Sequence, residues 1–256
     1  MYRSVEGDLS YPEIVMLEKS YHNKEKSLIE RLIWKKEPIS LSQIGEWKGD
    51  ALLAMHRFEE AAIAYKGIGR SQFLITDPFL IHVVDCHDCD HRDVLGTLSR
   101  LQFAEKMHAL NSKAQNGDAQ AALEYANGLY NITWFGNSRD AINSSLQEAE
   151  ELEVSTFYSM DAPYAAYERA LKLAPGKEKK AFVLFMLAKC EQNRFEMKEN
   201  EISYTAYYGD DLPCDPVKNQ EFRKNFALLK SSYANTEFYK LVLKECSYFE
   251  HYVRVH

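Results

Sequence analysis

What the chain lacks narrows its class before any motif is considered. No apolar run in its 256 residues approaches the roughly 20 consecutive residues of a membrane-spanning helix, so no span is expected. Met1 to Ser10 carry neither the cationic start nor the apolar middle of a secretory leader. On that reading the chain is cytoplasmic if it is full length, and of undetermined compartment if it is a piece of a longer precursor. Cations are in deficit: 31 Lys and Arg face 38 Asp and Glu, and a net charge of -7 gives no general pull toward phosphate backbones or anionic membranes. Nucleic acid is therefore not the expected partner. Five cysteines, an odd number and scattered, argue against a disulfide scaffold. Glycine-rich phosphate cradles, a nucleophile elbow, an HExxH pair and the kinase signatures are missing as well.

What is present is helical periodicity. With 46% hydrophobic and 12% aromatic residues the chain can bury a sizeable core, as one domain or one continuous stack of repeats. In WKGDALLAMHRFEEAAIAYKGI, from Trp47 to Ile68, Ala51, Leu52 and Met55 form one apolar stripe. Phe58, Ala61, Ala62 and Tyr65 form a second at i, i+3, i+4, i+7, with His56 and Arg57 between them. Such a pattern predicts two helices meeting at a tight turn. Upstream, Ile14, Leu17, Tyr21, Leu28, Leu32 and Ile33 predict one long or two short helices, and Ser40 or Ser42 can cap the next.

Downstream, Gln72 to Asp93 is rich in β-branched residues and carries Pro78, which predicts an extended excursion. Thr97 is placed to cap a helix bearing Phe103, Met107 and Leu110. Asn116-Gly117 turns the chain, and Asp118 caps a partner helix with Ala122, Ala126 and Leu129, making a second hairpin. Asn137 to Glu153 is polar and ends in an acidic run, as in a solvated helix or loop. Tyr164, Tyr167, Ala170 and Leu171 precede Pro175-Gly176, and Ala181, Leu184, Phe185 and Ala188 continue into another helix. Phe195 to Pro216 shows no helical period and reads as an ordered loop or a small hairpin. Phe222 to Tyr233 and, after Asn235-Thr236, Phe238 to Val253 are expected to form the last two helices.

Trp47 to Ile68 and YERALKLAPG, from Tyr167 to Gly176, together resemble tetratricopeptide (TPR) repeats, helix-turn-helix units of about 34 residues. In the first, Gly49, Phe58, Ala61 and Tyr65 fall on the family's glycine, aromatic, small and aromatic positions, while His56 stands where the family prefers glycine. In the second, Tyr167, Ala170 and Pro175 sit at the aromatic, alanine and inter-repeat proline spacing. ANGLYNITWFGN, DCHDCDH and ECSYFEHYV, in turn, resemble the C-terminal region of large bacterial proteins with TPR-like helices, which implies that the chain is a segment of a longer protein. The first resemblance implies an all-α, TPR-like α-α superhelix (solenoid) of about ten helices over residues 1–256, with non-helical insertions at about 70–96 and 195–217. It also implies a non-enzymatic scaffold whose groove holds a protein or peptide.

Two stretches could carry chemistry. Asp85 to His91, DCHDCDH, is the densest run of potential ligands, and thiolate with imidazole suits zinc. Cys86 and Cys89 have knuckle spacing, His91 or His82 would add a third ligand, and a fourth would come from elsewhere. A polar loop with free thiols satisfies the same residues, and a redox CxxC would want a βαβ context. His56, His87-Asp88 and Asp140 can also be cast as a metal-dependent HD-type phosphohydrolase centre. The expected cofactor is none, with zinc as the alternative. In YNITWFGN, Trp134 and Phe135 stand beside Asn131 and Asn137, aromatic anchors flanked by amides that suit an extended peptide. The same residues also suit a helix end whose aromatics plug a neighbouring hairpin and whose asparagines cap it.

Overall fold

The computed structural model describes residues 9–36, 38–68, 74, 76–81, 83, 98–142, 155–206 and 223–256. Among them the regular secondary structure is helical, with single β-bridges at Thr76 and Ser99, and no helix is long and apolar enough to cross a membrane. The helices are α1 (Tyr11–His22), α2 (Leu28–Lys36), α3 (Leu41–Ala54), α4 (Phe58–Ile68), α5 (Arg100–Gln115), α6 (Ala119–Asn131), α7 (Ser155–Tyr158), α8 (Asp161–Leu173), α9 (Gly176–Ala206), α10 (Lys224–Tyr233), α11 (Glu237–Glu245) and α12 (Ser247–Val255). The chain divides into two compact units. One comprises Met1–Asp77, Leu95–Ala109 and Ser138–Phe157; the other comprises Pro78–Val94, Leu110–Asn137 and Tyr158–His256.

In the first unit the local signals act as the sequence implies. Tyr11 to Lys35 forms two short helices, broken at Asn23. Ser40 caps α3 in a reciprocal box: its hydroxyl accepts from the Gln43 N–H at 3.2 Å while its own N–H donates to the Gln43 side chain at 2.9 Å. Ile14 of α1 packs on Ile44 and Ala51 of α3, with Leu17 and Trp47 at the margin. α3 and α4 form the expected hairpin, and His56 at its turn has φ 56. Left-handed backbone there explains why a glycine suits this place. The His56 N–H donates to the Leu53 carbonyl at 2.9 Å and the Arg57 N–H to that of Leu52 at 2.8 Å, closing the end of α3. Thr97 lies outside the described residues; α5 starts at Arg100 behind a Ser99/Gln102 capping box.

Between these helices a charged cluster is buried. Asp50, fully inside, accepts from the Tyr65 hydroxyl at 2.5 Å and faces the Arg100 guanidinium at 3.4 Å. Arg100, itself buried, also reaches Glu46 at 3.4 Å and donates to the Asp140 carbonyl at 3.0 Å. Burial pushes the Asp50 carboxyl up to about 6, against the opposing pull of Arg100 and of the Tyr65 hydroxyl.

In the second unit α6 packs on α8, α8 on α9, and α9 on both α10 and α11. Gly117, φ 90, makes the tight turn before α6, whose N-cap Asp118 accepts from the Ala121 N–H at 3.0 Å. Two readings of this region need correction. Phe195 does not open a loop, because α9 continues to Ala206; Glu196, Met197 and Lys198 are strong helix formers that prolong a helix without an apolar period. The stretch from Phe238 to Val253 is two helices, not one, since Cys246 adopts extended backbone (φ -114, ψ 106) between α11 and α12. That break lets Phe249 and Tyr252 turn back onto Phe226 at ring distances of 5.1 and 5.6 Å, and Phe249 onto Tyr239 at 5.3 Å.

A raised folded-state pKa binds the proton more tightly in the folded than in the unfolded chain. Asp50 therefore contributes most to stability below its unfolded value near 4, and that contribution is lost as pH rises through about 6. The difference in unfolding free energy, wild type minus Asp50→Asn, is expected to fall by on the order of 3 kcal/mol between pH 4 and 7 when followed by urea titration. A difference that stays level or grows over that range contradicts the burial of this carboxyl.

Candidate functional site

The elbow that follows α6 is built by asparagines. Asn127 and Asn131 lie one turn apart at the end of α6 and share a face. Pro78 and Phe79 form a turn whose carbonyls have no sheet to pair with, and a buried carbonyl needs a donor. The Asn131 amide donates to the Pro78 carbonyl at 2.9 Å and to that of Leu80 at 2.7 Å. Asn137 adds a second donor to Leu80 at 3.1 Å, and Asn127 donates to Phe79 at 3.2 Å. The other end of the Asn127 amide accepts from the Tyr167 hydroxyl at 2.9 Å.

Gly136 makes the elbow possible: a Cβ there would lie 2.3 to 2.4 Å from the Asn131 backbone. Trp134 is 38% exposed, its ring 5.6 Å from that of Tyr158, and Phe135 is half-buried. Of the four sequence candidates, then, Asn131 and Asn137 are buried and spend amide donors on the chain's own carbonyls, and the two aromatics stand nearer the surface. Asn127 completes the set; its spacing of four from Asn131 was the available signal.

Asn131→Ala leaves the Pro78 carbonyl without this donor inside the unit and is expected to destabilise by about 1–3 kcal/mol in urea unfolding. Gly136→Ala is expected to do at least as much, because the added methyl meets backbone. Wild-type midpoints for both variants would mean that the elbow opens readily.

The metal reading falls outside the described residues, where Cys86, Cys89, His91, His82, His87 and Asp88 all lie. Among the described residues no three His, Cys, Asp or Glu side chains converge as metal ligands do. His56 closes the α3–α4 turn, its imidazole stacked near Phe58 at 6.0 Å, and burial lowers its pKa to about 4, so it is neutral near pH 7. Asp140 receives the Arg100 guanidinium on its main-chain carbonyl. Cys190 is buried, and burial pushes its thiol well above the ordinary range, away from thiolate chemistry.

A groove of about 590 Å³ opens in the second unit. Its walls are Leu123 of α6, Phe182 of α9, and Phe238 and Leu241 of α11; its rim is Glu178, Lys179 and Glu237. Phe238 lies between Phe182 and Phe185 at ring distances of 5.3 and 5.8 Å, while Leu241 remains 44% exposed. The rim is held as firmly as the floor. The Glu178 carboxylate accepts from the Glu237 and Phe238 N–H groups, each at 3.0 Å, and Thr236 accepts from Tyr239 at 3.1 Å, so the start of α11 is capped from α9. Lys179 reaches Gln120 of α6 at 3.3 Å. Apolar walls with charges at the edge can bury apolar side chains of a partner; among the described residues the lining holds no imidazole, thiol or hydroxyl. Periodicity alone hid this groove, because it assigns Phe238 to a core stripe and leaves Phe182 off the face that Ala181, Leu184 and Phe185 mark.

Comparison with known protein families, with curated proteins and with solved structures found no match for the chain.

Proposed function

We propose that the chain is a non-enzymatic protein-binding scaffold of TPR-like hairpins stacked as an α-α superhelix, and that it receives the apolar face of an amphipathic helix in the groove between α6, α9 and α11. The observation that carries the reading is the groove itself: apolar side chains from three separate helices facing open space, held in place by the capping of α11. A helix suits it better than a strand. Ridges of side chains on one helix seat between the ridges of others, whereas a strand would want an unpaired sheet edge, and the groove is walled by helices. The partner is accordingly a protein or peptide with apolar residues at i, i+3, i+4 and i+7.

Selection of a phage-displayed library of amphipathic helical peptides on the immobilised protein tests this. Binders with that spacing are expected, and Leu241→Glu, at a half-exposed position, is expected to weaken them tenfold or more, about 1.4 kcal/mol. Failure to enrich such peptides, or binders indifferent to Leu241→Glu, refutes the reading.

A further inference from the structure

Helix α2 buries none of its residues. Its inner side is committed to α1. The Trp34 indole N–H donates to the Ser20 hydroxyl at 3.3 Å and its ring meets Tyr21 at 5.5 Å. Glu30, one turn earlier on the same side, accepts from the Ser27 N–H at 2.7 Å and the Ser20 hydroxyl at 3.4 Å. The outer side is left to solvent: Leu28 is 73% exposed, Ile29 70%, Leu32 58% and Ile33 58%. At i, i+1, i+4 and i+5 these four form one convex ridge along a helix roughly 14 Å long.

The charge around the ridge is opposite in sign to that of the chain. Residues 24–36 carry five cations, Lys24, Lys26, Arg31, Lys35 and Lys36, and two carboxylates, Glu25 and Glu30, whereas the whole chain has a net charge of -7. Arg31 and Lys35 stand three positions after Leu28 and Leu32, and Lys36 three after Ile33, so their apolar stems run beside the ridge. The Arg31 Nε donates to the Lys26 carbonyl at 2.9 Å, and the Lys26 Nζ to the Tyr21 and Asn23 carbonyls at 2.9 and 2.6 Å; these bonds hold the two cations in place without neutralising them. On α1, Glu18 is paired with Lys48 at 2.7 Å, and the last turn holds Lys19 and His22.

Shape, size and charge together select what covers such a ridge. Four aliphatic side chains expose on the order of a few hundred Å², below the roughly 800 Å² per partner of a stable protein interface. A bilayer surface needs no fitted groove: apolar side chains enter the boundary between headgroups and acyl chains, and cations beside them meet lipid phosphates and carboxylates. We propose that α2 is a membrane-surface anchor that lies in the plane of an anionic bilayer, with Leu28, Ile29, Leu32 and Ile33 inserted and Arg31, Lys35 and Lys36 at the headgroups. The acidic remainder of the chain does not cancel this attraction, because exposed charges more than about 8 Å apart are largely screened at physiological salt. The anchor shares no residue with the groove and does not depend on it.

Flotation of the full chain with vesicles of phosphatidylcholine and phosphatidylserine, mixed three to one, tests this. Binding is expected, with at least tenfold weaker binding to phosphatidylcholine alone. The same loss is expected when ionic strength rises from about 0.1 M to about 1 M, where the screening length falls from about 10 Å to about 3 Å. Ile29→Glu with Ile33→Glu spoils the apolar ridge, and Lys35→Gln with Lys36→Gln removes charge while leaving it apolar. All four positions are exposed, and circular dichroism checks that the helices persist. Each double variant is expected to lose at least tenfold in vesicle affinity.

No binding to the mixed vesicles, equal binding to phosphatidylcholine alone, or either double variant binding as the wild type does, overturns the proposal. Without vesicle binding, a wild-type dimer in sedimentation velocity that Ile29→Glu with Ile33→Glu returns to monomer assigns the ridge to a second copy instead. Helical peptides from phage selection that require Ile29 and Ile33, again without vesicle binding, assign it to a protein partner.

Discussion

Two carboxylates on α9 receive the first N–H groups of the helices packed on it. Glu178 accepts from the first two N–H groups of α11, and Glu191, thirteen positions along the same helix, accepts from the Asn225 N–H at 3.1 Å and the Asn225 side chain at 2.7 Å at the start of α10. A helix N-terminus exposes unpaired donors and a partial positive charge, so a carboxylate from a neighbouring helix satisfies both at once. At α11 this carboxylate adds to the local Thr236 cap, whereas at α10 the N-cap Arg223 makes no side-chain cap of its own. Each ties the start of one helix to the flank of another, so the position of α11, and with it of Phe238 and Leu241, follows from α9. Burial raises the Glu191 carboxyl above its ordinary value despite these donors.

The same economy of polar groups governs the rest of the interior. Asp50, Tyr65 and Arg100 lock α3, α4 and the start of α5 through one buried carboxylate. Asn127, Asn131 and Asn137 do for the Pro78–Leu80 turn what a sheet partner would otherwise do. Among the described residues, no buried side-chain nitrogen or oxygen lacks a hydrogen-bond partner. Of the polar residues that invite a functional reading in the sequence, Asn131 and Asn137 donate to the chain's own carbonyls. Among the described residues, the outer face of α2 and the groove between α6, α9 and α11 expose apolar side chains.

Legibility in the sequence tracked the range of the interaction. The α3–α4 hairpin, the Asn116-Gly117-Asp118 turn and the pause at Pro175-Gly176 depend on residues within a turn or two of each other and could be read from spacing, whereas for α3 spacing left Ser40 and Ser42 both open as the cap. The continuation of α9 to Ala206 could not be read, because it carries no apolar period although Glu196, Met197, Lys198 and Glu199 favour helix. The break at Cys246 has neither proline nor glycine to announce it; it pays off only when Phe249 and Tyr252 reach Phe226. The asparagines at the elbow looked equally fit for a ligand's backbone or for the chain's own, since an amide donor is indifferent to whose carbonyl it meets.

The sequence by itself determined that this chain is helical, and roughly where its helices pair, because a 3.6-residue period and capping residues act locally. Only tertiary structure decided which asparagine meets which carbonyl, which carboxylate caps which helix, and that Leu123, Phe182, Phe238 and Leu241 line one groove. Those side chains come from helices as much as 118 positions apart, and no periodicity reports contacts closed over such distances.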